Sequence, residues 1–345
     1  MSSKSPFRPL SHIVEVPGRY VANAVRVANS PQFSTEALLR SIGLSLETLD
    51  SPGFRVNSAE YEAAISSLVT ESRLQGLGIR VGLTENASDH GVIGHAMLCA
   101  PSLLNALEFF VEFQDVSGPI VRLSTIRKGG FVVVRAFETM VTGPALTYEM
   151  ENTFIGLLSM LSPAAKFIGV ERLLLSYSDP GYADLYEKNF GCKPVFSAGA
   201  NEMWLRDHDL RASPKLESRE TFDMCRRQCE VIRSKIISSG TLADQVRRLM
   251  ATSTGIFPSE QRIAETLGLS SRTLRRRLAD EGTGFRHMMD DARLELAKEH
   301  LRRTRLTISE IAERVGYSSV HSFHRAFKRG TGHTPRSYRN QPTDS

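Results

Sequence analysis

Two clusters of cationic and polar side chains carry the most legible chemistry in this 345-residue chain. The first is Arg272, Thr273, Arg275, Arg276 and Arg277, set around Leu274 and Leu278. The second is His321, Ser322, His324, Arg325 and Lys328, set around Phe323 and Phe327. In each cluster the apolar pair is spaced i, i+4, which is one side of a helix, and the polar groups share the remaining circumference. A guanidinium can pair in bidentate fashion with O6 and N7 of guanine, and Arg or Lys neutralises phosphates. Three consecutive arginines beside two apolar anchors repel one another unless an anion faces them. The anion these clusters suit is double-stranded DNA.

The elements that must position the clusters form an internal repeat. Ile263-Ala264-Glu265-Thr266-Leu267-Gly268-Leu269-Ser270 returns 48 residues later as Ile311-Ala312-Glu313-Arg314-Val315-Gly316-Tyr317-Ser318. Each copy reads as a helix, a Gly, an apolar residue, a Ser and a second helix. Gly268 and Gly316 suit the left-handed position that ends a helix. Ser270 or Ser318 can cap the next one. This is a helix-turn-helix layout, twice, with second helices expected at 271–281 and 319–330. Between them, Phe285 to Arg302 reads as a linker helix with Met288, Leu294, Ala297 and Leu301 inward. It would set the separation of the two second helices, and successive major-groove faces lie about 34 Å apart.

The charge split agrees. Residues 221–345 hold 23 Lys and Arg against 14 Asp and Glu, a net of +9, whereas residues 1–220 hold 20 against 24, a net of −4. A basic third on a mildly acidic body suggests a polyanion-binding module attached to something else. The composition, 41% apolar and 23% charged, is that of a folded multidomain protein. Residues 1–20 read as a loose arm. Helical spacing recurs at 33–50, at 58–72 and from Pro101 onward. Ile120–Ile126 and Gly130–Phe137 read as a hairpin around Arg127-Lys128-Gly129-Gly130. Helices at 146–161 and 182–190 and short strands near 172–177, 194–196 and 202–205 follow. The expected organisation is an N-terminal α+β effector-sensing and oligomerisation domain, 1–210. A linker and connecting helix, 211–239, joins it to an all-α double helix-turn-helix domain, 240–339. In the connecting helix Phe222, Cys225, Cys229, Ile232 and Ile236 form a stripe spaced 3, 4, 3, 4. That stripe suits packing on its own domain or a homodimer seam.

Other candidates are weaker. Gly76, Gly78 and Gly82 lack the spacing of a nucleotide-binding loop. Cys225 and Cys229 lie one turn apart, and seam packing is favoured over redox pairing. His321 and His324 lack further ligands for a metal. Asp207-His208-Asp209 near Ser213 has no nucleophile-elbow motif, so a solvated loop is the better reading. His90, His95, Arg122, Arg127, Arg135 and Glu149 are the N-terminal polar residues that could meet an effector. Four cysteines make no disulfide framework. The first twenty residues have no signal-peptide core, and 154–170 is too interrupted to span a membrane. We expect a cytoplasmic protein, nucleoid-associated when bound to DNA, with no cofactor or metal and no enzymatic activity. An enzyme tethered to DNA and a non-specific architectural protein are the alternatives from other classes.

The C-terminal region is similar to the AraC/XylS family of bacterial transcription regulators. The resemblance covers about 240–339. It rests on Arg293-Leu294, Ala297, Leu301, Ile308-Ser309-Glu310-Ile311-Ala312, Gly316-Tyr317, Phe323, Phe327 and the closing Gly332-His333-Thr334-Pro335-Arg336-Ser337-Tyr338-Arg339. It implies two helix-turn-helix units on adjacent major grooves. Ile263, Ala264, Gly268, Leu274 and Leu278 would hold the first, and Ile311, Ala312, Gly316, Phe323, Phe327 and Pro335 the second. It implies base contacts from Arg272, Arg275 and Arg276, and from His321, Ser322 and Arg325. Position 320 is Val, which can only meet a thymine methyl or pack. The family's commoner mode is activation, so RNA polymerase is an implied partner. The N-terminal 210 residues resemble the effector domain of regulators of ornithine use and mycobacterial virulence. That likeness rests on Leu39–Leu44 with Leu49, the Gly91-Val92-Ile93-Gly94 turn, Pro101–Leu107 and Tyr186–Val195 with its Phe190-Gly191-Cys192. It implies a small-molecule effector without naming it.

Overall fold

The computed structural model describes residues 15–30, 33–51, 53–118, 120–139, 141–161, 168–238, 240–251, 257–303, 306–317 and 319–339. The chain divides into two compact units between Arg233 and Ser234.

The first unit opens with strand β1 (Glu15–Pro17) and helix α1 (Gly18–Ala28), followed by α2 (Thr35–Ser41), α3 (Leu46–Asp50), β2 (Arg55–Asn57) and α4 (Ser58–Ser72). β1 pairs antiparallel with β2. Residues 15–20 therefore belong to the fold rather than to an arm, and Val16, Val21, Ala22 and Val25 are fully buried; residues 1–14 lie outside the described residues. The 33–50 stretch is two helices, broken at Gly43 with φ +75°. α4 starts on a capping box, in which Asn57 accepts from backbone N–H groups and the Glu60 carboxylate reaches back to the Asn57 N–H.

Next come α5 (Leu77–Thr84), α6 (Gly91–Cys99) and α7 (Leu103–Ser117), then β3 (Val121–Lys128) and β4 (Phe131–Thr139). Gly129 and Gly130, at φ +57° and +82°, make the hairpin turn. Helix α8 (Gly143–Leu161) precedes β5 (Val170–Leu174), α9 (Ala183–Phe190), β6 (Pro194–Val195) and β7 (Asn201–Arg206). The sheet runs β3-β4-β7-β5-β6, antiparallel except for the parallel β5–β6 pair. The glycines at 78 and 82 serve a helix crossing. A Cβ at Gly78 would lie 2.2 Å from the Tyr148 carbonyl of α8, and one at Gly82 would lie 2.9 Å from the Gly156 nitrogen.

Residues 211–218 are stitched to this unit. Leu103 N–H donates to the Ala212 carbonyl at 2.8 Å, and Ser218 N–H to that of Cys99 at 3.0 Å. Helix α10 (Arg219–Ser238) then buries Phe222, Cys225 and Cys229 in the first unit's core. Burial pushes the Cys229 thiol up to about 11, the opposite of a reactive cysteine. Nη1 of Arg226 donates to both oxygens of the Glu112 carboxylate, at 2.8 and 2.7 Å. Arg233 pairs with Asp115 at 3.1 Å and lies over the Phe113 ring at 4.2 Å. One side of α7 therefore holds α10 by charge and stacking together.

The second unit is helical. It contains α11 (Leu242–Ala251), α12 (Glu260–Thr266), α13 (Ser271–Asp280), α14 (Phe285–Arg303), α15 (Ile308–Arg314), α16 (Val320–Thr331) and α17 (Pro335–Arg339). Ala297, Leu301, Ile311, Ala312, Val315, Phe323, Phe327 and Tyr338 form one buried cluster where α14, α15, α16 and α17 meet. Glu281 caps α11, accepting from the N–H groups of Leu242 and Ala243 at 2.9 and 2.8 Å.

Candidate nucleic-acid interface

Helices α12 and α13 make the first helix-turn-helix, and α15 and α16 the second. The turns use the same bonds. Gly268 at φ +65° donates to the Glu265 carbonyl, and Leu269 N–H reaches Ala264 at 2.8 Å. Gly316 at φ +81° donates to Glu313, and Tyr317 N–H reaches Ala312 at 2.9 Å. Left-handed backbone at this point is why the repeat carries Gly twice. Ile263 and Ala264, like Ile311 and Ala312, are buried beneath the turns.

Ser270 caps α13, accepting from Thr273 N–H at 3.1 Å. In the second unit the cap is Ser319, which accepts from Ser322 N–H at 3.2 Å. Ser318, the alternative expected from the repeat, lies outside the described residues. The later cap accounts for the anchors: Leu274 and Leu278 stand four and eight residues after one cap, and Phe323 and Phe327 four and eight after the other. All four are at most 1% exposed.

With both helices aligned on their caps, the outward residues correspond. At about 100° per residue, Arg276 and Arg325 each point away from the anchor pair. Arg272 corresponds to His321 and flanks that position. All four are exposed. Among the described residues Arg272, Arg276, Arg277, Arg325 and Lys328 have no carboxylate partner, so their charges stay available to an outside anion. Arg275 is held by Glu260 at 2.7 Å. Thr273 and Ser322 are half-buried, and their hydroxyls engage the caps at 2.9 Å. His324 is half-buried, its ring nearly perpendicular to that of Phe323 with 6.2 Å between centroids. Arg329, exposed on the same side of α16 and 3.9 Å from Asp290, was not among the sequence candidates. Its signal was present in the Lys328-Arg329 pair.

The second turn has its own brace. Arg293 of α14 stacks over the Tyr317 ring at 5.4 Å and lies beside Gly316. Pro335 is buried at the start of α17, which sets Tyr338 against Phe327, 5.3 Å between ring centroids.

Comparison with known proteins bears on both units. The family described as "Arabinose-binding domain of AraC transcription regulator, N-term" matches residues 33–213, and that described as "Helix-turn-helix domain" matches 263–341. An "Ornithine utilization regulator" from Pseudomonas aeruginosa is 30% identical over 97% of this chain and 99% of its own length. The regulator VirS from Mycobacterium tuberculosis is 27% identical over 89% of this chain and 84% of its own length. A solved structure of the regulator CdpR from Pseudomonas aeruginosa is 23% identical, covers 98% of this chain and 100% of that one, and superposes at a TM-score of 0.41. The chain belongs to the AraC family of transcription regulators.

As an AraC-family protein it is a DNA-binding transcription regulator, and its families and relatives are regulators rather than enzymes. Among the described residues no helix is long and apolar enough to cross a membrane. Of the N-terminal polar candidates in this AraC-family chain, the structure brings His90 and Glu149 to one cavity. Arg127 and Arg135 are taken up by Glu108 and Glu202. The His95 ring turns back to the Gly91 carbonyl at 3.1 Å. Arg122 lies in β3 and does not line the cavity. Asp207 accepts from Arg211 and Asp209 from Gly169 N–H, so that stretch is a structural clasp.

Proposed function

We propose that this regulator reads two adjacent major-groove segments with α13 and α16 and is controlled by a small effector in the first unit. The observation that carries the reading is the matched pair of capped helices, each turning an exposed Arg away from its apolar anchors. Arg272 and Arg276, and His321 and Arg325, are assigned to base edges. Arg277, Lys328 and Arg329 are assigned to phosphates. Arg275 reads a base only after release from Glu260, and Thr273, Ser322 and His324 hold the helices in phase. The 19-residue linker helix α14 is about 28 Å long, comparable with the roughly 34 Å between successive major-groove faces.

In this reading residues 1–210 sense the effector, 211–239 connect and 240–339 bind DNA. The protein acts in the cytoplasm as an activator touching RNA polymerase, and its operators are met as a homodimer. The two-sided helix α7 supports effector control, because Phe110, Gln114 and Ser117 line the cavity that holds His90 and Glu149, while Glu112, Phe113 and Asp115 hold α10. The test is selection from a randomised duplex pool with the full chain and with residues 220–345. Two enriched blocks about one helical turn apart are expected. Salt-sensitive binding without any enriched motif would leave only phosphate contacts and overturn specific readout.

A further inference from the structure

The first unit contains a cavity of about 80 Å³. A buried water needs about 10–15 Å³ on the same measure, so there is room for a ligand of several heavy atoms. Its chemistry is lopsided. Three of its donors are spent internally: the Tyr61 hydroxyl donates to Glu149, Gln114 gives its amide N–H groups to the carbonyls of Val111 and Leu123 at 2.8 and 2.9 Å, and Ser117 donates to the Gln114 carbonyl at 2.7 Å.

Acceptors remain. Glu149 is 4% exposed and uses one oxygen for Tyr61. The Glu85 and His90 side chains are 10% and 7% exposed and meet at 3.4 Å, Oε2 to Nε2. The ring meets Glu85 through Nε2, so Nδ1 is the ring nitrogen left over. Among the described residues that Nδ1, and Oδ1 of Asn152, are buried without a hydrogen-bond partner. The walls add π faces: His90 lies between Tyr20 and Phe110, with ring centroids 6.3 and 5.9 Å away.

The fold builds this arrangement deliberately. Glu149, Asn152 and Gly156 share one face of α8. Gly156 is there because a Cβ would fall 2.4 Å from the Glu85 carboxylate. Burying acidic groups together is costly without a counter-charge, and burial, reinforced by Glu85, pushes the Glu149 carboxyl up to about 8.

We propose that this cavity is the effector site and that its ligand is a small organic cation with an ammonium or guanidinium head. Such a head brings donors and no acceptor, complements the two acidic side chains and Oδ1 of Asn152, and stacks favourably against aromatic faces. A carboxylate head would be set beside two acidic side chains, Glu85 and Glu149. The proposal rests on the effector reading for its regulatory meaning, and the binding chemistry stands apart from it.

The test uses the full-length protein at constant ionic strength, with calorimetric titration of butylammonium, 1,4-diaminobutane and agmatine against butanol, butyrate and arabinose. Saturable binding is expected for at least one cation, weakened about tenfold or more by Glu149→Gln and by Gly156→Ala, which evicts Glu85. Should either variant lose its native circular dichroism, Asn152→Ala is the substitute and is expected to weaken the same ligand. Cation binding at neutral pH should also release a proton from Glu149, seen as a heat that varies with buffer ionisation enthalpy. The groups facing that carboxyl are Tyr61, Tyr148, Glu85 and His90. Binding by none of the cations, or equal binding of butyrate or butanol, or cation binding untouched by the variants, overturns the proposal. DNA affinity measured with and without ligand separates the two readings. A neutral or anionic ligand that shifts DNA affinity keeps the effector and discards the cation. A cation that binds here without shifting it does the reverse.

Discussion

From Gly268 to the cap Ser270 the first helix-turn-helix uses two residues, whereas from Gly316 to Ser319 the second uses three. The first holds its recognition helix with two leucines, and the second with two phenylalanines that meet at 5.6 Å and engage Tyr317 and Tyr338. The first presents Arg272, Arg276 and Arg277, and the second His321, Arg325 and Lys328. One frame thus presents two different sets of outward side chains. The difference shows that in such a repeat the cap sets the phase of the helix, and the phase decides which side chains face outward. A comparison at constant 48-residue offset would equate Arg276 with His324, a half-buried residue.

The sharpest way to test the contrast is through the anchors. Phe327→Ala should cost about 3–5 kcal/mol and Leu278→Ala about 2–5 kcal/mol. Urea denaturation of the two variants, followed by circular dichroism, should show the larger shift for Phe327→Ala because its ring has two aromatic neighbours. The next effect is acid sensitivity. Burial, with Arg314 of α15 nearby, pushes His300 down to about 4. The folded value lies below the unfolded one, so this contribution is complete above about pH 6.5 and lost as pH falls through about 4. It amounts to roughly 3–4 kcal/mol at most, and His300→Gln should flatten the acid limb of a stability-against-pH curve.

Readout comes third. Arg276→Ala and Arg325→Ala should each cost about 1–3 kcal/mol at the cognate duplex and relax one base position, in different halves of the operator. Fluorescence anisotropy on cognate and scrambled duplexes checks this, and equal losses on both would reassign that Arg to phosphate. The smallest effect concerns the turns. Both Gly268→Ala and Gly316→Ala place a Cβ in left-handed backbone, at about 1–2 kcal/mol. At Gly316 the new methyl also comes within 3.3 Å of the Arg293 guanidinium, whereas nothing lies within 4 Å at Gly268. Thermal melts should therefore fall further for Gly316→Ala.

Those turns, anchors and arginines were legible in the sequence because every signal is local: a Gly, a Ser and an i, i+4 pair within a dozen residues. The hairpin at Gly129-Gly130 and the helix after Asn57 were legible for the same reason. Helices α5 and α6 were not. α5 buries Leu77, Gly78, Ile79, Val81 and Gly82 on almost every side, which leaves no polar face to reveal the period. α1 was masked by its Pro- and Ser-rich approach, although Val21, Ala22, Val25 and Ala28 keep helical spacing. The cavity was half legible. His90 and Glu149 stood out as polar residues, but Glu85 and Asn152 gain meaning only when α8 is laid across the chain around residue 85.

Helix α7 has a consequence for pharmacology. It touches the cavity on one side and Arg226 and Arg233 on the other. With the cavity as the proposed effector site, occupancy and signalling are separable: a ligand shifts an equilibrium only by its differential affinity for the two states it joins. A compound that fills the cavity equally well in both states would bind tightly and signal nothing. On that proposal the same pocket admits inducers and silent competitors of similar affinity.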